Sequence, residues 1–174
     1  MADGKTVKDL MIDVFEYPHM PYWFTIRQAA GIMKKTVIDS QKSIYPQVIL
    51  VFDEKYNLIG TLSIGDILRG LAPGLPVSTS ASDAALTPDE MEELSHVESS
   101  LNVTSMKAHM EKPISGIMKP VKVSVVPDDS LAKAAFLLER RDIEVLPVLE
   151  NNKKLVGVVR MIEVFREVSG ILGR

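Results

Sequence analysis

The sequence predicts an α+β protein that uses one β-α-β-β-α unit twice. The block "VILVFDEKYNLIGTLSIGDIL" (48–68) aligns without a gap on "VLPVLENNKKLVGVVRMIEVF" (145–165). In both copies two apolar runs flank a polar turn, and a helical pattern begins after the second run. The match continues upstream, "VKDLM" (7–11) with "ISGIM" (114–118) and "FTIRQAAGIM" (24–33) with "DSLAKAAFLL" (129–138). A supersecondary unit recurring in the same order twice is the signature of an internal repeat.

Taken in order, the first unit has a helix over 24–33 and apolar runs at 48–52 and 58–62 around Asp53–Asn57, a hairpin with both strands well buried. A helix follows from Ser63. The first unit carries ten more residues between Met11 and Gly60 than the second does between Met118 and Gly157. Two lie around "EYPHMPYW" and eight within "KTVIDSQKSIYPQ".

Between the units, residues 73–112 form an insert whose first dozen residues, rich in proline, serine and alanine, read as a mobile linker. "TPDE" (87–90) then starts a helix, with Thr87 as cap, Pro88 in the first turn and Glu90 closing a capping box. Met91 and Leu94 should face the core or a partner. A second helical piece should place Met106 and Met110 on one side, for core packing or a helix interface.

The second unit reads as strand "VKVSVV" (121–126), a helix with the stripe Leu131, Ala134, Ala135 and Leu138 capped by Asp128 or Asp129, a hairpin (145–149, 155–159), and a last helix with Ile162, Phe165 and Ser169 on one face. The expected organisation is unit one over 1–72, the insert over 73–112, and unit two over 113–174.

Composition narrows the chemistry. The 174 residues are 46% hydrophobic and 25% charged, ordinary for a globular chain that needs no metal or disulfide to fold. There is no cysteine, which excludes disulfides, thiolate metal sites and cysteine nucleophiles and fits a reducing compartment. The start lacks the plan of a signal peptide and no apolar run has the length of a membrane span, so a cytoplasmic protein is expected. A net charge of −3 with signs interspersed argues against nucleic acid as partner. His19, His96 and His109 have no ligand spacing, and neither GxxxxGK[ST] nor GxGxxG occurs. "DEMEE" (89–93) reads as a solvated first helical turn before it reads as a cation site. The aromatic run "YPHMPYWF" (17–24) reads as packing over the enlarged first unit, or as an apolar wall for a ligand or partner.

The duplicated strand-to-helix turn holds the most chemistry. In the first copy Ser63 and Asp66 have capping-box spacing, a local cap that needs no ligand. The same geometry also suits a ligand: free amides and the positive helix end attract a phosphate, and a carboxylate one turn in can hold a ribose diol. In the second copy Arg160 and Glu163 stand in these places.

The double unit, with "DLM" and "GIM", "VLPV" and "G-T-L-S-I-G-D", resembles a tandem pair of cystathionine-β-synthase (CBS) domains, the Bateman module. The resemblance covers both units and leaves out only the insert. It implies two β-α-β-β-α repeats packed through their sheets about a pseudo-twofold axis, with two clefts that take adenosine-containing ligands such as AMP, ADP, ATP or S-adenosylmethionine. It further implies that Ser63 contacts phosphate and Asp66 the ribose. From the other repeat Val123, Ile143 and Glu144 would line the adenine slot, with Met118 nearby, Pro147 shaping the strand and backbone beside Ile143 reading the base edge. The second turn departs from the family pattern of Gly, two residues, Ser/Thr, two residues, Asp. Its cleft would be formed by Arg160, Glu163 and, across from them, Gln47. Arg160 is then either a fork-shaped phosphate donor or an ion-pair partner of Glu163 that closes the site.

The expected function is a stand-alone regulatory module, not an enzyme, that senses an adenosyl compound without requiring a cofactor. It would act on a separate protein partner and form a homodimer. The alternative is a structural interaction module in which Ser63 and Asp66 serve only as caps. An enzyme with an unrecognised site is a third reading.

Overall fold

Each apolar run of the duplicated block becomes a strand of a tight antiparallel hairpin. In the computed structural model, which describes residues 4–38, 48–77, 85–151 and 153–172, β3 (Val48–Phe52) pairs with β4 (Leu58–Ser63), and β6 (Leu146–Glu150) with β7 (Lys154–Val159). The turn of the first hairpin closes on the Asp53 carboxylate, which accepts from the Lys55 amide at 2.9 Å and the Asn57 amide at 2.8 Å. Shorter strands complete two sheets: β1 (Ile12–Asp13), β2 (His19–Pro21) and β5 (Lys119–Pro120). The sheet orders are β2-β3-β4-β5 and β1-β7-β6. The helices are α1 (Ile26–Met33), α2 (Ile64–Leu71), α3 (Pro88–Ser100), α4 (Val103–Met110), α5 (Leu131–Arg141) and α6 (Met161–Leu172).

The short strands reveal an exchange between the units. The leading segment of unit one places β1 beside β7 of unit two, and that of unit two places β5 beside β4 of unit one. Backbone hydrogen bonds repeat the exchange at the helix starts. The Val7 and Lys8 amides donate to the Asp129 and Pro127 carbonyls, each at 2.9 Å, ahead of α5. Ahead of α1, the Ile114 amide donates to the Phe24 carbonyl at 2.8 Å and the Ile26 amide to that of Lys112 at 2.9 Å. The side chains follow: Val7 and Met11 pack with Val125, Leu138, Leu146 and Val148 of unit two, while Ile114, Ile117 and Met118 pack with Ile26, Ala29, Leu62 and Ile67 of unit one. A third cluster joins the sheets, with Val14, Tyr17, Val48, Leu50 and Phe52 against Val145 and Val158.

The repeated glycines permit the close crossing. A Cβ on Gly60 would stand 2.9 Å from the Lys119 carbonyl oxygen and from the Met118 Sδ, and one on Gly157 only 2.5 Å from the Ile12 carbonyl oxygen. The insert packs on unit one: α4 lies on α1 and α2, with Met106 and Met110 against its core, and α3 is capped by Thr87 with Glu90 closing the box. Val97 of α3 is buried, whereas Met91 and Leu94 face solvent.

Two expectations are corrected. "VKVSVV" (121–126) is not a strand, because the segment passes from one sheet to the other. Its approach pairs with β4 at Lys119–Pro120 and its end bridges Val125 to Val148, so the middle belongs to neither. The cap of α5 is Ser130, whose Oγ accepts from the Lys133 amide at 3.2 Å, while Asp129 accepts from the Val126 amide at 2.9 Å. α6 forms with Ile162 and Phe165 on one face as expected, and that face points outward, Phe165 being 61% exposed, because Glu163 and Val164 take the inward side. The linker residues 78–84 lie outside the described residues.

Replacing Gly157 by alanine should lower stability by about 1–3 kcal/mol, the range for overpacking, because backbone rather than a pliable side chain must yield. Gly60→Ala should cost less. Urea denaturation checks both, and an unchanged midpoint for Gly157→Ala would contradict the crossing geometry.

Candidate functional site

Crossing of the second leading segment onto β4 builds one wall of a cleft between the units, with a volume of about 410 Å³, the scale of a small-ligand site. Unit one contributes Val48, Thr61, Ser63 and Asp66. Thr61 and Ser63 alternate along β4 and therefore share a face. Unit two contributes the run Lys119–Val123, then Arg141–Val145 and Pro147. Asp142 ends α5 in the left-handed conformation (φ 49°), and the Ile143 amide donates back to the Leu138 carbonyl at 3.1 Å, which swings the chain into the cleft rim.

At the first turn the two readings of Ser63 and Asp66 use the same atoms. Asp66 is only 2% exposed. Its Oδ2 accepts from the Ser63 amide at 2.8 Å and from Ser63 Oγ at 2.7 Å, while Ser63 Oγ accepts from the Asp66 amide at 3.2 Å. Its Oδ1 is paired with the Arg69 guanidinium, and Lys119 Nζ lies 3.8 Å from the same oxygen. The capping box is thus complete, and the carboxylate is already neutralised from within.

Charges of both signs meet along the opposite wall: Lys119, Lys122 and Arg141 beside Asp142 and Glu144. Loss of hydration holds the Glu144 carboxyl above the ordinary glutamate range, and the nearby Asp66 and Asp142 add to this against the opposing pull of Lys119.

At the second turn Glu163 reaches back as Asp66 does, its Oε2 accepting from the Arg160 amide at 3.0 Å. The place of the serine hydroxyl is taken by a guanidinium: Arg160 Nε donates to Oε2 at 3.1 Å and Nη2 to Oε1 at 2.5 Å. Both residues are 8% exposed, so this is a buried bidentate pair. Tyr17, from the aromatic run, is buried in the field of Arg160, Glu163 and Glu144, and burial pushes its phenol well above the ordinary value.

The structure therefore brings Ser63, Asp66, Val123, Ile143 and Glu144 to one cleft. Met118 is not on its wall; the side chain turns inward under Gly60 to the core of unit one. The Ile143 amide, committed to Leu138, has no donor left for a base edge. Gln47 lies outside the described residues. Sequence reasoning missed Thr61, Lys119, Lys122, Arg141 and Asp142 on the walls, and Arg69 behind Asp66. Period-two alternation from Ser63 could have found Thr61; the lysines required knowing that 119–123 crosses to the other unit. Among the described residues no three histidine or acidic side chains gather as a metal site, and no helix is long and apolar enough to cross a membrane.

A family model described as "CBS domain" matches residues 114–170. No curated protein matches the chain. Among solved structures the chain is similar to the CBS-pair protein CBSX2 from Arabidopsis thaliana, with 19% identity and a TM-score of 0.66 over 99% of both chains. It is similar to CBSX2 in complex with AMP at 20% identity and a TM-score of 0.64, over 97% of this chain and 98% of that one. It is also similar to the CBS domain pair of MJ0100 in complex with 5′-methylthioadenosine and S-adenosyl-L-methionine, with 18% identity and a TM-score of 0.63 over 97% and 98% of the two chains. Residues 114–170 are thus similar to a CBS domain, and the chain as a whole has the α+β fold of a tandem CBS-domain pair.

Proposed function

We propose that the protein is a non-catalytic regulatory module that binds an adenosyl compound, AMP, ADP, ATP or S-adenosylmethionine, in the cleft at the first turn. The observation that carries this is the cleft itself, where a helix start with Ser63 and Asp66 faces an extended segment bearing Lys119 and Lys122. A helix N-terminus with cations across from it suits a phosphate, and a buried carboxylate suits a sugar hydroxyl. The AMP complex of CBSX2 and the S-adenosyl-L-methionine complex of MJ0100 support the ligand class. The roles follow as Asp66 on the ribose, Ser63 and the cations near the phosphate end, and Val123, Ile143 and Glu144 around the base.

The second turn is not a second copy of this site. Arg160 spends two donors on Glu163 and both are buried together within the turn, whereas Asp66, though also paired, lines the cleft and is held by the more exposed Arg69. The ligand-free reading also has an observation behind it: Asp66 is paired with Arg69 and capped by Ser63, as a purely structural residue would be. Calorimetric titration of the purified chain with AMP, ATP and S-adenosylmethionine separates the two. The sensing reading predicts saturable binding to at least one of them, weakened by about 1.5–3 kcal/mol in Asp66→Ala. Absence of binding to all three would leave the structural reading standing.

Regulation requires a surface that changes or pairs. Ile64 and Leu68 on α2, and Met161 and Phe165 at the matching positions of α6, face solvent, joined by Ile162, Val168 and Leu172. Matching apolar faces about a pseudo-twofold suit a second copy of the chain, and the proposed assembly is a homodimer with a separate protein as its target. Light scattering should give twice the chain mass; a monomer at high micromolar concentration would contradict this.

The cleft charges predict a pH effect without any ligand. Because the folded Glu144 carboxyl binds its proton more tightly than in the unfolded chain, its contribution favours folding at low pH and is lost as pH rises through the folded value. Glu144→Gln should therefore be more stable than the parent at pH 7, and the difference should vanish below the ordinary glutamate value of 4.5. Denaturation at both pH values checks the sign, and a less stable variant at pH 7 would reverse it.

A further inference from the structure

Asp66 has more suitors than it has places. A carboxylate offers about four acceptor positions. On Oδ2, two are filled by the Ser63 amide at 2.8 Å and hydroxyl at 2.7 Å. On Oδ1, one is filled by the Arg69 guanidinium, and Lys119 Nζ stands 3.8 Å from the same oxygen. A vicinal diol brings two donors. The Ser63 contacts are fixed by the cap of α2. Lys119 is exposed and at long range, so it gives way readily. That frees only one position, and the second is held by Arg69.

We propose that Arg69 is an internal competitor for the sugar diol, its guanidinium held on the Asp66 oxygen that the ligand must take. This rests on the reading of the cleft as an adenosyl site. The latch is built into the sequence of the turn. Arg69 lies one helical turn beyond Asp66 and folds back over Gly65, where a Cβ would stand 3.3 Å from its Nη1. Arg69 is mostly sheltered and its partner almost wholly so, so the pair is less screened than a surface ion pair. The competitor sets the affinity of the empty cleft, because every diol that enters must exchange for a charge-assisted bond. It also couples the cleft to the surface. Arg69 belongs to α2, which carries the exposed Ile64 and Leu68, so occupancy releases a cation onto the helix that presents that apolar face. Binding and surface charge are then one equilibrium.

The test is calorimetric titration of the full chain and of Arg69→Gln with AMP and with 2′,3′-dideoxy-AMP, which lacks the diol. The expected result is about tenfold tighter AMP binding by Arg69→Gln, as for loss of one competing charged hydrogen bond, with no gain for the dideoxy compound. Unchanged or weaker AMP binding by a folded Arg69→Gln, while the parent binds AMP, overturns the competitor alone. Failure of both proteins to bind AMP, ATP and S-adenosylmethionine alike overturns the adenosyl reading of the cleft and the competitor with it; failure with AMP alone moves the same comparison to ATP and its 2′,3′-dideoxy form, with the same two outcomes. Should Arg69→Gln not fold, the parent decides: the Nε–H resonance of Arg69 should shift on saturation with AMP, and a resonance unmoved at saturation overturns the proposal.

Discussion

The fold depends on a reciprocal exchange of leading segments. Residues 6–13 leave their own unit to bond with the start of α5 and the edge of β7, and residues 113–120 do the same at α1 and β4. Neither sheet is complete without a strand from the other unit, and neither apolar core is complete without the side chains that arrive with it, Val7 and Met11 on one side and Ile114, Ile117 and Met118 on the other. The two glycines of the repeated block, Gly60 and Gly157, are the steric condition for this contact. The cleft is its by-product. Because the chain must pass from β4 back to its own sheet at Val125, residues 121–124 span the gap between the units and become a wall.

The duplicated turn shows how one backbone device carries two chemistries. In both copies an acidic side chain reaches back to the amide three residues earlier, which caps the helix. With a hydroxyl at the earlier position, the cation that neutralises the acid comes from a turn further along, Arg69, and sits beside an open cleft. With Arg160 there, the cation is built into the turn and both charges are buried together. A buried pair of this kind contributes little net stability once desolvation is counted, and its main effect is to commit the carboxylate.

Much of the fold was legible because it rests on local rules. The hairpins follow from apolar runs around Asp53–Asn57 and Glu150–Lys154, and α3 follows from Thr87, Pro88 and Glu90, whose capping box forms as read. What could not be read were the long-range choices. Nothing in "VKVSVV" says that its approach and its end belong to different sheets, so it reads as a strand; for the same reason Lys119 and Lys122 could not be assigned to a cleft. The helical period of α6 shows which residues share a face but not which way that face points; the burial of Arg160 and Glu163 sets the inward side. At the candidate site Ser63 and Asp66 were legible in the duplicated turn, while Val123, Ile143 and Glu144 were named from a resemblance; their convergence on one cleft is a property of the crossing. Arg69 escaped notice because an arginine on a helix is ordinarily solvated, and only the burial of Asp66 beside it gives it a role.

The most direct test of the idea that the crossing makes one ligand slot is a backbone amide chemical-shift map of the chain titrated with AMP. The account predicts that the largest shifts fall together on Thr61–Asp66, Val121–Val123 and Ile143–Val145, three stretches distant in sequence that meet only through the exchange. Shifts centred instead on Arg160–Glu163, or confined to one unit, would contradict it.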